Sequence, residues 1–204
     1  MINKNKVERG FSILEFEERL IKAQDVMQRY KLDGLLLTTP QNIRYFTGYD
    51  SQFWESPTRP WFVVVPASGK PIGIVPEIGE SEFKKTWLED IKTWPSPRPE
   101  DEGISILKST LEDLKKTHGQ IGAEFGKEMA IRMPVRDLFK LKEILKTNIV
   151  DGSDAIWEMR MIKTNAEVKR IKHICSIASD AYYDLPININ HTLMLCPQPI
   201  PMLS

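Results

Sequence analysis

Apolar residues recur at three- and four-residue intervals in two long stretches of the chain. In the first, Phe16, Leu20, Ala23, Met27 and Tyr30 fall on one side of a helix. Ser12 and Glu15 ahead of them have the spacing of a capping box, and Phe11 and Phe16 occupy the two staple positions, so the helix is predicted to start at Ser12. In the second stretch, Val168, Ile171, Ile174, Cys175, Ala178, Ala181 and Tyr182 mark one face of a helix that Thr164 and Glu167 open in the same way. That face needs a partner to cover it, which predicts Cys175 as a buried thiol.

Between these helices the period changes. Leu35, Leu36 and Leu37 form a short uninterrupted apolar run, the pattern of a strand covered on both faces. Residues 40–49 predict one or two helical turns stopped by Gly48. The runs 61–65 and 72–75, separated by Ala67, Ser68, Gly69 and Lys70, predict a β-hairpin. A helix is expected over 77–87, a short strand over 91–94, and a rigid loop at Pro95, Pro97 and Pro99. An amphipathic helix is expected over 103–118, and a strand over 120–125 in which Gly122 allows close backbone approach. A further helix carries Leu138, Leu141, Ile144 and Leu145 inward, followed by a last strand over 148–150. The expected fold is α/β: a mixed sheet of about six strands flanked by helices, with an additional carboxy-terminal helix. The expected organisation is one α/β domain over residues 10–152, a linker and helix over 153–184, and an aberrant or disordered tail over 185–204.

Composition narrows the function. With 28 basic and 28 acidic residues the net charge is +0, which offers no long-range attraction to nucleic acid or to an anionic membrane. No run is long and apolar enough to cross a bilayer. The 2 cysteines have neither disulfide nor zinc spacing, and a reduced, cytoplasmic setting is expected. His118, His173 and His191 lack the neighbouring ligands of a metal site. Asp151, Ser153 and Asp154 read as a turn and helix cap, with Ser153 or Asp154 capping the helix that holds Trp157, rather than as an acid–base pair. His173 lies two residues from Cys175, so the two point to different sides of the helix and form no nucleophile–base pair.

The segment Asn42-Ile43-Arg44-Tyr45-Phe46-Thr47-Gly48-Tyr49, the hairpin after it, and Arg160 with Lys163, Thr164 and Glu167 resemble the amino-terminal domain and first catalytic-domain helix of the pita-bread hydrolases. That family includes creatinase, Xaa-Pro dipeptidase and aminopeptidase P. The resemblance covers residues 13–184. It implies a domain that overhangs a neighbouring subunit's catalytic cleft, hence a homodimer or a pairing with a full-length relative. It also implies a metal requirement met elsewhere: relatives hold two divalent metals through ligands of a second domain, and no such ligand can be carried over onto this sequence. Creatinase itself works without metal. The stretch from Tyr49 to Trp61 matches the segment that supplies substrate contacts, with Phe53 and Trp54 as an apolar wall and Arg59 as a carboxylate fork.

From Leu185 to Ser204 the chain has no Asp, Glu, Lys or Arg, against 27% charged residues overall, and it contains Pro186, Pro197, Pro199 and Pro201. Helix is not expected there, and the reading frame is expected to depart from the family pattern near residue 184. Two functions follow as expectations: a noncatalytic amino-terminal portion of such a hydrolase, or a free-standing dimerisation or interaction module.

Overall fold

A computed structural model describes residues 10–55 and 59–189. These divide into two compact units, residues 10–162 and the part from Lys163 onward.

The first unit opens with α1 (Ile13–Arg29). Ser12 is its N-cap, its Oγ accepting from the Glu15 N–H at 3.3 Å, and Phe11 packs edge-on against Phe16 at 6.3 Å between centroids. Tyr30 sits at the end of the stripe and is exposed; Val26 is buried in its stead. Next come β1 (Gly34–Leu37) and α2 (Pro40–Thr47). Gly48 ends α2 at φ 74°, and a Cβ there would come within 2.7 Å of the Phe16 ring, so both backbone and space require glycine. A single 3-10 turn, Gln52–Glu55, leads toward β2 (Phe62–Pro66) and β3 (Ile72–Pro76), which pair antiparallel as the expected hairpin.

Then follow α3 (Glu77–Phe83), β4 (Asp90–Trp94), α4 (Ile104–Asp113), β5 (Gln120–Ala123), α5 (Val135–Ile144), β6 (Asn148–Asp151) and α6 (Ser153–Met161). Three helices differ from the sequence expectation. α3 stops before Trp87, whose indole stacks on Phe16 and donates to the Phe46 carbonyl at 2.8 Å. α4 stops before Thr117, because the Asp33 carboxylate accepts the N–H groups of Thr117, His118 and Gly119 and holds that backbone in a turn. In α5, Leu138 and Leu141 are buried while Ile144 is exposed.

The sheet order is β4-β3-β2-β1-β5-β6. β2 is antiparallel to both neighbours, whereas β3 with β4, β1 with β5, and β5 with β6 are parallel. Alternate strand residues enter separate cores. Leu35, Leu37, Val63 and Val65 join α1, α2 and α6 side chains in one, and Leu36, Phe62, Val64 and Ile121 meet those of α4 and α5 in the other. α6, the helix around Trp157 that the sequence places outside the 10–152 domain, buries Ala155, Ile156 and Met159 in the first core.

The second unit contains α7 (Asn165–Ile189). Its capping box forms as expected, with the Thr164 N–H on Glu167 at 2.9 Å and the Glu167 N–H on Thr164 Oγ1 at 3.2 Å. The helix runs past residue 184 and through Pro186, which removes one backbone hydrogen bond without ending it. Cys175, expected to be buried, is exposed, as are Ile171, Ile174 and Ile177. The tail from residue 190, including His191, lies outside the described residues.

Candidate functional site

β1 and β5 lie side by side and parallel, and the chain leaves them in opposite directions across the sheet. In open α/β sheets the space beyond the carboxyl ends of such a strand pair is the usual place for a ligand. β1 continues there into Thr38 and Thr39, β5 into Glu124, and the amino end of α2 faces the same point.

Glu124 fills it. Its side chain is buried to 1% exposure, and Thr38 and Asn42 are equally enclosed. Oε2 accepts the Thr38 N–H at 2.6 Å, the Thr38 hydroxyl at 2.8 Å and the Thr39 N–H at 3.0 Å. Oε1 accepts the Thr39 hydroxyl and the Asn42 amide, both at 2.5 Å. Thr39 is the N-cap residue of α2, yet its hydroxyl caps nothing within the helix; it is committed to Glu124. The carboxylate therefore acts as the anion that a helix start and oriented backbone N–H groups favour. With both oxygens occupied, it has no free lone pair for a metal or for a substrate proton.

Two chains of contacts leave this carboxylate. Asn42 Oδ1 accepts from Arg160 Nη1 at 2.6 Å, and the guanidinium of Arg160 lies 5.7 Å from the centre of the Tyr45 ring. Thr38 Oγ1 also accepts the Arg132 N–H at 2.9 Å, and Arg132 Nη2 donates to the Trp54 carbonyl. The 3-10 turn that carries Trp54 is thus fastened to the same cluster.

Of the residues expected to meet substrate, Trp54 is half-buried in an aromatic group with Tyr49 at 5.6 Å and Trp61 at 5.5 Å. Its indole N–H is enclosed without an acceptor among the described residues. Arg59 is half-buried, and its positive charge acts on Glu102. Burial pushes the Glu102 carboxyl upward, but donors from Trp94, Arg98 and Ser96, together with Arg59, hold it below the usual carboxylate range. The Phe53 side chain lies outside the described residues. Asp50 pairs with Arg44 at the surface. Asp151 takes the Ser153 N–H at 2.9 Å, and Ser153 Oγ takes the Gly126 N–H at 2.7 Å, so α6 has no side-chain cap from Ser153 or Asp154.

Sequence reasoning missed Glu124. The available signal was a carboxylate inside an otherwise apolar stretch, since a glutamate is rarely enclosed unless it is paired. Among the described residues, no group of three or more His, Cys, Asp or Glu side chains could hold a metal ion. No described helix is long and apolar enough to cross a membrane. His118 is exposed and His173 half-exposed.

The family model described as Creatinase/Prolidase N-terminal domain matches residues 19–162. The curated "Uncharacterized hydrolase/peptidase y4tM" of Sinorhizobium fredii is 26% identical over 166 residues, covering 78% of this chain and 41% of that protein. A recombinant prolidase from Thermococcus sibiricus superposes with a TM-score of 0.67 at 22% identity, over 84% of this chain and 44% of that one. The creatinase/prolidase N-terminal domain of an X-Pro dipeptidase from Streptococcus pyogenes superposes with a TM-score of 0.54 at 16% identity, over 69% of this chain and 98% of that one. At these identities the structural likeness establishes the fold. The chain spans less than half the length of y4tM and of the Thermococcus prolidase.

Proposed function

The chain belongs to the creatinase/prolidase N-terminal domain family, and from that premise we propose that it is the noncatalytic, substrate-facing part of an Xaa-Pro peptidase or creatinase-type hydrolase. In this reading the Tyr49–Trp61 segment forms one wall of a substrate cleft, and the domain contributes contacts to a dimer.

The saturation of Glu124 is the observation that carries this reading. At the place where an α/β sheet of this order usually holds a ligand, both oxygens of Glu124 are committed to internal donors. A general base or a metal ligand needs a lone pair in reach of the reacting atoms, and this carboxylate offers none. The divalent metals that relatives employ have no fitting donor set among the described residues, so no reaction step is assigned to this chain.

The aromatic group around Trp54 supports the role of a wall: Tyr49 and Trp61, which touch Trp54, pack on each other and on Phe83 with ring contacts of 4.6 to 6.0 Å, which keeps a large apolar surface rigid at small entropic cost. Arg59, five residues after Trp54, binds a substrate carboxylate through its forked donors. In an assembled enzyme containing this domain, Arg59→Ala then raises KM for carboxylate-bearing substrates and leaves kcat near its original value.

Two measurements on the purified chain test the proposal. Incubated with an Xaa-Pro dipeptide and manganese, it releases no proline; in sedimentation equilibrium it is a dimer. Proline release by the chain alone, or a monomer at every concentration, overturns it.

A further inference from the structure

Asn42 stands between a carboxylate and a guanidinium, with its NH2 on Glu124 and its C=O on Arg160. That orientation is the only one that satisfies both neighbours, because an amide turned over would direct NH2 at a guanidinium and oxygen at a carboxylate. The negative charge of Glu124 therefore fixes the direction of the Asn42 amide, and the amide in turn fixes Arg160 at the end of α6. The second chain of contacts starts from the other oxygen. Thr38 donates its hydroxyl proton to Oε2, which leaves its lone pairs facing the Arg132 N–H, and Arg132 then holds the Trp54 carbonyl.

We infer that Glu124 is a positioning residue that sets two distant parts of the domain through separate arms: the 3-10 turn carrying Trp54 through Thr38 and Arg132, and the carboxyl end of α6 through Asn42 and Arg160. The inference rests on the reading of the Tyr49–Trp61 segment as a cleft wall and gives that wall its mechanical origin. Glu124 lies in neither part and is the single group common to both arms. Replacement by glutamine keeps the shape but turns one acceptor into a donor. Wherever the new NH2 lies, it opposes a group that already donates, either the Thr38 and Thr39 N–H pair or the Asn42 amide. One substitution thereby loosens elements that are remote from each other in sequence.

The chain contains 5 tryptophans, and their positions suit fluorine NMR of 5-fluorotryptophan-labelled protein, with resonances assigned by single Trp→Phe replacements. Trp54 reports the turn, Trp157 reports α6 one helical turn before Arg160, and Trp94, in the core on the other side of the sheet, is the internal reference. Glu124→Gln is expected to shift or broaden Trp54 and Trp157 while Trp94 stays in place. Arg132→Ala is expected to move Trp54 alone, and Asn42→Ala to move Trp157 alone. Leu107→Ala, a cavity variant in the Trp94 core, controls for general loss of stability and should leave Trp54 and Trp157 unmoved. The inference is overturned if Glu124→Gln leaves either reporter unchanged, or if it reproduces the pattern of Leu107→Ala. Should Glu124→Gln not fold, the single-arm variants decide: two arms acting separately require each to move its own reporter and not the other. These spectra involve no turnover or subunit pairing, so their failure would leave the cleft-wall proposal to be judged by its own measurements.

Discussion

Asp33 occupies the turn between α1 and β1, and its carboxylate accepts the N–H groups of Thr117 at 2.9 Å, His118 at 3.0 Å and Gly119 at 2.6 Å. Burial alone would raise its pKa, but these backbone donors, with that of Gln120, outweigh burial and hold it below the ordinary aspartate value. A carboxyl group with a depressed pKa stabilises the fold above its unfolded pKa, and that contribution is lost as pH falls through the folded value. Asp33→Asn should therefore lower stability by about 1–3 kcal/mol at neutral pH. The gap from the parent chain should close once the pH drops well below about 3.9, the unfolded aspartate value. Urea unfolding at neutral and acidic pH checks this; an equal gap at both would remove the carboxylate from the explanation.

At the scale of elements, β5 and the turn into α6 are joined by two glycines. A Cβ on Gly122 would meet Leu32 Cδ1 and Leu35 Cδ2 at 2.9 Å and the Gly152 Cα at 3.1 Å. Two of these neighbours are leucines held in the core, and the third is backbone, so little can give. Gly122→Ala is expected to cost about 1–3 kcal/mol, the range for overpacking a filled interior. Thermal unfolding followed by circular dichroism measures it; an unchanged midpoint would mean that β5 and the Gly152 turn move apart freely. The close approach matters beyond stability, because β5 leads directly into Glu124 and the turn leads into the helix that carries Arg160 in its last turn.

For the molecule as a whole, the buried members of the two cores all fall, among the described residues, within residues 10–162. A chain ending at Ile162 should therefore fold in one cooperative transition. Its melting temperature should lie within about 2–4 °C of the longer chain, the shift that roughly 1 kcal/mol produces in a domain of this size. Circular dichroism melts of both chains decide the matter, and an unfolded short chain would show that the second unit is part of the folding nucleus.

Short-range pattern determined most of the elements. The Ser12 cap, the capping box at Thr164, the Gly48 stop and the hairpin around Gly69 involve only neighbours a few residues apart, and such local chemistry is written in the order of residues. The mixed six-stranded sheet and the family resemblance also followed from that order. The early ends of α3 and α4, the exposure of Cys175, the environment of Trp54 and the whole Glu124 cluster did not. The helix ends and the Glu124 cluster depend on partners far away in sequence: Trp87 with Phe46, Asp33 with Thr117 to Gly119, and Glu124 with Thr38, Thr39 and Asn42. A carboxylate at position 124 could have been a solvated charge, and only the pairing of β1 with β5 decided that it lies against the start of α2. Local sequence fixes which backbone hydrogen bonds can close within a turn of chain, whereas burial of a charge is decided by which distant donors the fold brings around it.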